Sequence, residues 1–358
     1  MGKTEIDLNH KTVLVTGSPG FIGAALVKRL LREMKSGRVI SFDNMNDYYD
    51  PALKEYRLKQ IEQAAEYSGA SHVFVKGDIS ERKCVESLFD QYHPDVVVHL
   101  AAQAGVRYSI SHPDIYINTN INGFFHMLEA VRNHPVSHFI YASSSSVYGG
   151  NTKVPFSTDD PTDQPVSLYA ATKKADELLA YSYAELYDIP STGLRFFTVY
   201  GPAGRPDMFY YSAAQKLAAG RVIQIYNHGE CRRDFTYIDD IVEGLYRVIR
   251  KAPIKQKDED EKLKAPHCVY NIGGGTPENL LDFISILQTE LVENGILDKD
   301  YDFDSHRELV GMQAGDVPLT YADSAAFEKD FDFRPSIPIK EGLKRFVQWY
   351  KGYHCKVR

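Results

Sequence analysis

The sequence predicts an α/β fold, a doubly wound parallel sheet followed by a smaller α/β carboxy-terminal domain. Two observations predict it. Between Thr12 and Gly201, short and nearly continuous apolar runs alternate with stretches of helical periodicity. Strands buried on both faces and joined by helices make a parallel sheet covered on both sides. After Gly201 the texture changes, with shorter strands and longer loops. A chain of 358 residues accommodates one large domain carrying a smaller one, here divided as 10–202 and 203–358, with some chain crossing back to the sheet.

TVLVTG at 12–17 ends on glycine, and Phe21 to Leu31 follows with helical spacing. RVISFDN at 38–44, SHVFVKGD at 71–78, DVVVHLAA at 95–102, HFIYASSS at 138–145 and TGLRFFTVYG at 192–201 are the further buried strands. Helices at about 81–92, 114–133 and 168–187 lie between them. Beyond Gly201 come short strands at 222–226 and 268–273, with helices near 207–219, 238–251, 277–294 and 338–351. The charged run KQKDEDEKLKAP at 255–266 predicts an exposed loop.

A net charge of −7 argues against a nucleic-acid surface, so substrate anions must be met by individually placed Arg or Lys. No apolar run approaches the ~20 residues that span a bilayer. The opening MGKTEIDLNHKTVLVTG lacks the apolar core of a signal peptide. Cys84, Cys231, Cys268 and Cys355 lack metal-ligand spacing, which predicts reduced thiols and no metal. The expectation is a cytoplasmic protein without membrane or nucleic-acid partners.

Gly17, Gly20 and Gly23 punctuate the turn between the first strand and the first helix, which opens on Phe21 and Ile22. Such a turn lets a pyrophosphate approach free N–H groups at the helix start, and the last glycine lets helix and sheet pack closely. Asp43 ends the second strand 20 residues after Gly23, with Asn44 beside it, where an acid binds both hydroxyls of an adenosine ribose. An acid there repels a 2′-phosphate, so the expected cofactor is NAD in place of NADP. Asp78 and Ile79 follow the third strand where an adenine edge passes, and Leu100, Ala101 and Ala102 follow the fourth where the cofactor passes close. These features make residues 10–202 a Rossmann-like dinucleotide-binding domain.

Tyr169 and Lys173 are spaced i, i+4 in SLYAATKK, so on a helix they share a face with Cβ atoms about 5–6 Å apart. An ammonium beside a phenol stabilises the phenolate, which makes Tyr169 a candidate general base for a sugar or alcohol hydroxyl.

TGxxGFIG, GDI, HLAA, SSSSVYG and YxxxK, in this order, give the chain a resemblance to the extended short-chain dehydrogenase/reductase superfamily. Within it the chain resembles the nucleotide-sugar 4-epimerases. FDNMNDYYD, HLAAQAGVRYS, RFFTVYGPAGRPDM, RRDFTYIDDIVEG and MQAGDVPLTYAD look like the UDP-glucuronate 4-epimerase family over essentially the whole chain. The resemblance implies an isomerase with tightly held NAD, which interconverts UDP-glucuronate and UDP-galacturonate through a 4-keto intermediate. It implies Tyr169 as the base, Lys173 as its partner and a ribose ligand, and a catalytic serine at Ser144 with Ser145 and Ser146 alongside. Serines at 145 and 146, where 4,6-dehydratases carry an Asp-Glu pair, disfavour dehydration. A 4-keto uronate is a β-keto acid, and a bidentate arginine is the obvious device to keep its carboxylate from the geometry that loses CO₂. Arg205 resembles that arginine, with Thr198 beside the sugar and Arg107 a second basic candidate. Arg233 resembles the diphosphate-binding arginine, and Gln313 and Asp316 resemble residues that close the pocket. A UDP-glucuronate decarboxylase, a UDP-hexose 4-epimerase and a silent NAD-binding regulator stand as alternatives. A homodimer through a four-helix bundle is implied for the helices at 114–133 and 168–187.

Overall fold

Residues 12–16, 38–43 and 71–76 are rich in β-branched and aromatic side chains, and each run ends at a glycine, an Asp or a Lys–Gly pair that stops the strand. The computed structural model describes residues 2–257, 261–313 and 315–354. In it these runs are β1 (Thr12–Thr16), β2 (Arg38–Asp43) and β3 (Ser71–Lys76). β4 (Val96–His99), β5 (His138–Ser144) and β6 (Ser191–Phe196) follow. With β9 (His267–Ile272) they form a seven-stranded sheet in the order β9-β6-β5-β4-β1-β2-β3, every pair parallel. The order reverses between β1 and β4, the crevice where doubly wound sheets hold their ligands.

Successive residues of each strand supply opposite layers. Val13, Val15, Val96 and Val98 join the core under α1 (Phe21–Glu33) and α6 (Ile238–Ile249). Leu14, Ile40, Val97 and Phe139 pack with side chains of α3 (Arg82–Tyr92), α4 (Gly123–Asn133) and α5 (Leu168–Tyr187). α6 and β9 therefore belong to the main sheet layer although they lie beyond residue 202. Burial of these alternating apolar sets is the main driving force for the layered arrangement.

The structure departs from the sequence expectations in several places. Pro51–Ala65 is a fifteen-residue helix, α2, that the apolar pattern does not announce. It buries Lys54 and Arg57 beside Leu53 and Ile61, so its inward face is partly polar and the usual amphipathic signal fails. The stretch 192–201 is not one strand. It breaks at Phe197, and β7 (Thr198–Tyr200) joins a separate three-stranded sheet with β8 (Arg232–Tyr237) and β10 (Pro277–Asn279). The segment 114–133 contains a π-helical stretch, Ile117–Asn122, before α4. Of the predicted exposed loop 255–266, Gln256–Lys257 pairs with Leu263–Lys264, and 258–260 lie outside the described residues.

α5 is tied to the sheet by a buried polar network. Arg195 on β6 donates Nε and Nη2 to the two carboxylate oxygens of Glu177 at 2.8 and 2.9 Å, and Ser143 Oγ donates to Glu177 at 2.6 Å. Arg195 Nη1 also donates to the Tyr148 hydroxyl at 2.9 Å. Burial pushes the Glu177 carboxyl up, but the Arg195 fork and Ser143 outweigh it and hold it below the usual glutamate value. Breaking such a pair from one side leaves a buried charge uncompensated, at a cost of about 3–5 kcal/mol. Glu177→Gln should lower unfolding stability by an amount of that order in urea titration. Because the folded value is depressed, the wild-type advantage is present above the ordinary glutamate range and shrinks as pH falls through the folded value. Equal urea midpoints at neutral pH would show that the network does not hold the helix.

Candidate active site

Gly17 sits at φ +70°, and a Cβ there would lie 2.8 Å from the Ala101 backbone nitrogen. A Cβ on Gly23 would lie 2.3 Å from the Gly17 carbonyl oxygen. Only glycine lets the turn close this tightly against both the β4 end and α1. Gly20 caps α1 without a side-chain hydrogen bond, which leaves first-turn N–H groups free to face an anion. At the β2 end Asp43 Oδ1 accepts from the Met45 amide at 2.7 Å and lies 3.3 Å from Lys54 Nζ. Asn44 donates to Asp78 Oδ2 at 2.8 Å, and the other Asp78 oxygen accepts from Ser80.

The glycine turn opens into one cavity of about 980 Å³ that crosses the β1/β4 crevice and runs on between the two sheets. Gly17, Gly20, Phe21, Ile22, Gly23, Asp43, Asn44, Ile79, Leu100, Ala101 and Ala102 line its dinucleotide end. Ser144, Ser145, Ser146, Tyr169, Lys173, Thr198 and Arg205 line its middle, and Arg107, Arg233 and Asp316 its far end. Two predicted residues are not on the wall. Asp78 is engaged behind Asn44, and Gln313 has its Oε1 buried with no hydrogen-bond partner among the described residues.

Ser167 caps α5 by accepting from the Ala170 amide at 3.1 Å, which starts the helix one turn before Lys173 and puts Tyr169 in its first turn. Lys173 is 2% exposed, and its ammonium donates to Ala142 O at 3.0 Å and Asp176 Oδ2 at 3.1 Å. The four serines divide their work. Ser143 Oγ is committed to Glu177, while Ser144 Oγ accepts from the Ser146 amide and donates to Ser146 Oγ, both at 3.1 Å. His99 shares a 2.8 Å hydrogen bond with Thr16 Oγ1. Burial, aided by Lys173, pushes its imidazole down to about 3, so it stays neutral in the core.

Arg205 reaches the cavity with its fork already paired, Nε to Asp207 Oδ1 at 3.0 Å and Nη2 to Asp207 Oδ2 at 2.5 Å. Tyr48, from the loop after β2, donates to the same carboxylate at 3.2 Å. At the far end Arg233 Nη2 lies 2.8 Å and Arg107 Nη2 3.6 Å from Asp316, so two guanidinium groups share one carboxylate and keep a net positive charge. Arg107 is also stacked 4.6 Å over the Tyr226 ring.

Several functional residues were missed at the sequence level. Lys54 comes from α2, whose Asp50-Pro51 start is an N-cap followed by N1 proline and was the available signal. Arg57, 2% exposed, donates to Pro19 O, Ala203 O, Gly204 O and the Tyr49 hydroxyl at 2.6–3.1 Å. One guanidinium thus binds the glycine turn to the loop that carries Arg205. Asn120, in the π-helical stretch, bonds the Gln103 backbone and Thr172 Oγ1 and so links the β4 loop to α5. No sequence spacing signals it.

A family model described as NAD dependent epimerase/dehydratase family matches residues 13–273. Protein CapI of Staphylococcus aureus is 43% identical over 350 residues, 96% of this chain and 99% of that one. UDP-glucuronate 4-epimerase 2 of Arabidopsis thaliana is 42% identical over 352 residues, 97% of this chain and 77% of its own length. The crystal structure of UDP-glucuronic acid 4-epimerase from Bacillus cereus, in complex with UDP-glucuronic acid and NAD, superposes with a TM-score of 0.81. It is 29% identical, covering 96% of this chain and all of that one.

Arg57→Lys keeps the charge but loses the fork. We expect dinucleotide to dissociate faster from the variant, with about 1–3 kcal/mol of stability lost. Cofactor content after gel filtration and thermal unfolding report the two effects, and wild-type values for both would remove Arg57 from the clamp.

Proposed function

The chain belongs to the NAD-dependent epimerase/dehydratase family, and we propose that it is a 4-epimerase interconverting UDP-glucuronate and UDP-galacturonate through a transient 4-keto sugar. The observation that carries this reading is the single cavity joining the glycine cradle, the Ser144–Tyr169–Lys173 set and a cationic far end. Full-length similarity to UDP-glucuronate 4-epimerases supports it.

The cradle fits NAD. The space that Cβ atoms at Gly17 and Gly23 would fill stays open, helix N–H groups stay free, and Asp43 offers a carboxylate to ribose hydroxyls. Gly20, Phe21 and Ile22 would hold the pyrophosphate, Asp43 and Asn44 the adenosine ribose, and Lys173 the nicotinamide ribose. Bound there, NAD supplies first the acceptor and then the donor of the hydride at C4.

The chain's own groups manage the proton and the orientation. Tyr169 takes the O4 proton as C4 is oxidised and returns it after the sugar has turned over, while Ser144 holds O4. Lys173 and the positive end of α5 favour the negative charge on Tyr169. Arg107 and Arg233, sharing Asp316, hold the diphosphate during rotation. The carboxylate is met by the hydroxyls of Ser145, Ser146 and Thr198 and by Arg205, which Asp207 tethers. Holding the carboxylate near the carbonyl plane suppresses loss of CO₂.

Ile117, Phe125, Leu178 and Tyr181 are exposed apolar side chains on the π-helical stretch, α4 and α5. They support a homodimer through a four-helix bundle. No described helix is long and apolar enough to cross a membrane. We place the enzyme in the cytoplasm, supplying uronic acid for polysaccharide synthesis.

Purified protein without added NAD should convert UDP-glucuronate to UDP-galacturonate. UDP-xylose with CO₂ would replace this assignment by a decarboxylase, and no turnover of any UDP-sugar would overturn it. Tyr169→Phe should keep bound NAD and lose about 10²–10⁴-fold in kcat. Arg205→Ala should raise KM for the uronate or release CO₂; wild-type kinetics would remove it from the carboxylate subsite. Leu178→Glu should sediment as a monomer, and an unshifted dimer would refute the bundle.

A further inference from the structure

We infer that Asp176 is a positioning residue for this reaction, acting through Lys173: its carboxyl group anchors the ammonium and sets how much positive charge Tyr169 feels. The inference rests on the epimerase reading above. Residues 169, 173 and 176 are spaced i, i+4, i+7 on α5 and so share one face. The side chains of Lys173 and Asp176 are 3% and 1% exposed, with Nζ and Oδ2 3.1 Å apart. An ammonium has three hydrogens. One goes to Ala142 O and one to Asp176, which leaves the third for the cavity. The Ala142 carbonyl cannot change charge, so Asp176 is the variable partner.

The second Asp176 oxygen, Oδ1, is buried with no hydrogen-bond partner among the described residues. A buried carboxylate with one oxygen unpaired is costly, and taking up a proton relieves part of that cost. Burial pushes Asp176 up to about 7, against the pull of Lys173, and Glu177 adds to the rise. The groups around it offer no second free cation among the described residues. Glu177 on α5 is held by Arg195 of β6, and Lys174 lies 3.3 Å from the same Glu177. Tyr141 of β5 bonds neutral His267 of β9, His99 of β4 is neutral beside Lys173, and Glu129 of α4 is engaged by Tyr183.

With Asp176 protonated, the ammonium's whole charge acts on the Tyr169 phenolate. With Asp176 ionised, a negative charge at the same lysine opposes it. The charge state of Asp176 therefore enters the pH dependence of turnover and broadens it beyond a single titration.

The test is the pH dependence of kcat on UDP-glucuronate for the holoenzyme. In the wild type the rising limb should be shallower than one ideal titration. In Asp176→Asn, which keeps size and a hydrogen bond but never carries charge, the limb should steepen to a single titration. It should also move to lower pH by about half to one unit, with KM unchanged. A wild-type limb following one ideal titration, or an Asp176→Asn profile superimposed on wild type, would overturn the inference while leaving the epimerase assignment intact. Should Asp176→Asn not accumulate as holoenzyme, Asp176→Ser makes the same comparison and the wild-type slope decides by itself. Absence of turnover on every nucleotide sugar would overturn both readings together.

Discussion

The grip of Arg195 and Ser143 on Glu177 fixes the height and rotation of α5 on the sheet, and the chemistry inherits its geometry from that contact. Glu177 is two turns from Tyr169 on the same helix, so a slip of the helix by one residue would turn the phenol about 100° away from the crevice. The network reaches β5 through Ser143 and β9 through Tyr148 and Asn271, where the Tyr148 hydroxyl donates at 2.6 Å. Three neighbouring strands thus register one helix. The strand end that carries Ser144 is held by the same network that places Tyr169, so the two side chains cannot drift independently.

A second constraint acts at the cofactor end. Gly17 and Gly23 leave no room for a Cβ because the turn lies against the β4 end and α1 packs onto the Gly17 carbonyl. Arg57 then ties Pro19 of that turn to Ala203 and Gly204. Tyr48 bonds Asp207, the partner of Arg205. The glycine-turn end and the Arg205 end of the cavity are therefore braced against each other.

Much of this was legible in the sequence because the responsible patterns are local. The extent of α5, 168–187, follows from helical spacing, and the parallel sheet follows from apolar runs between helices. The glycine turn is visible because three glycines spaced by three, between a strand and a helix, suit a backbone that must turn tightly and pack without side chains. What escaped depends on tertiary context. α2 buries a lysine and an arginine, so an apolar-period search passes over it. The uninterrupted run around Phe197 gives no hint that the backbone leaves one sheet for another. The pairing of Arg205 with Asp207, two residues away, was open to inspection, but a salt bridge at that spacing needs a loop geometry that spacing alone does not determine. Asp176 carried no motif; its interest arises from a buried position beside Lys173.

The break at Phe197 has a mechanical corollary. β6 ends at Phe196 in the main sheet and β7 begins at Thr198 in the small one, so a single residue, about 7 Å of chain between flanking Cα atoms at full stretch, joins them there, and the chain crosses again from β8 into α6 and from β9 to β10. Three short crossings of this kind keep the sheets from separating. With the Phe197 amide itself donating to Ile272 O at 3.3 Å, the two sheets cannot part like the jaws of a two-domain clamp. Entry and exit of a nucleotide sugar then fall to the loops around residues 44–50, 201–208 and 315–320. Exchange would have the rate and temperature dependence of loop motion, and the interior where a keto sugar must rotate would stay sheltered throughout the cycle.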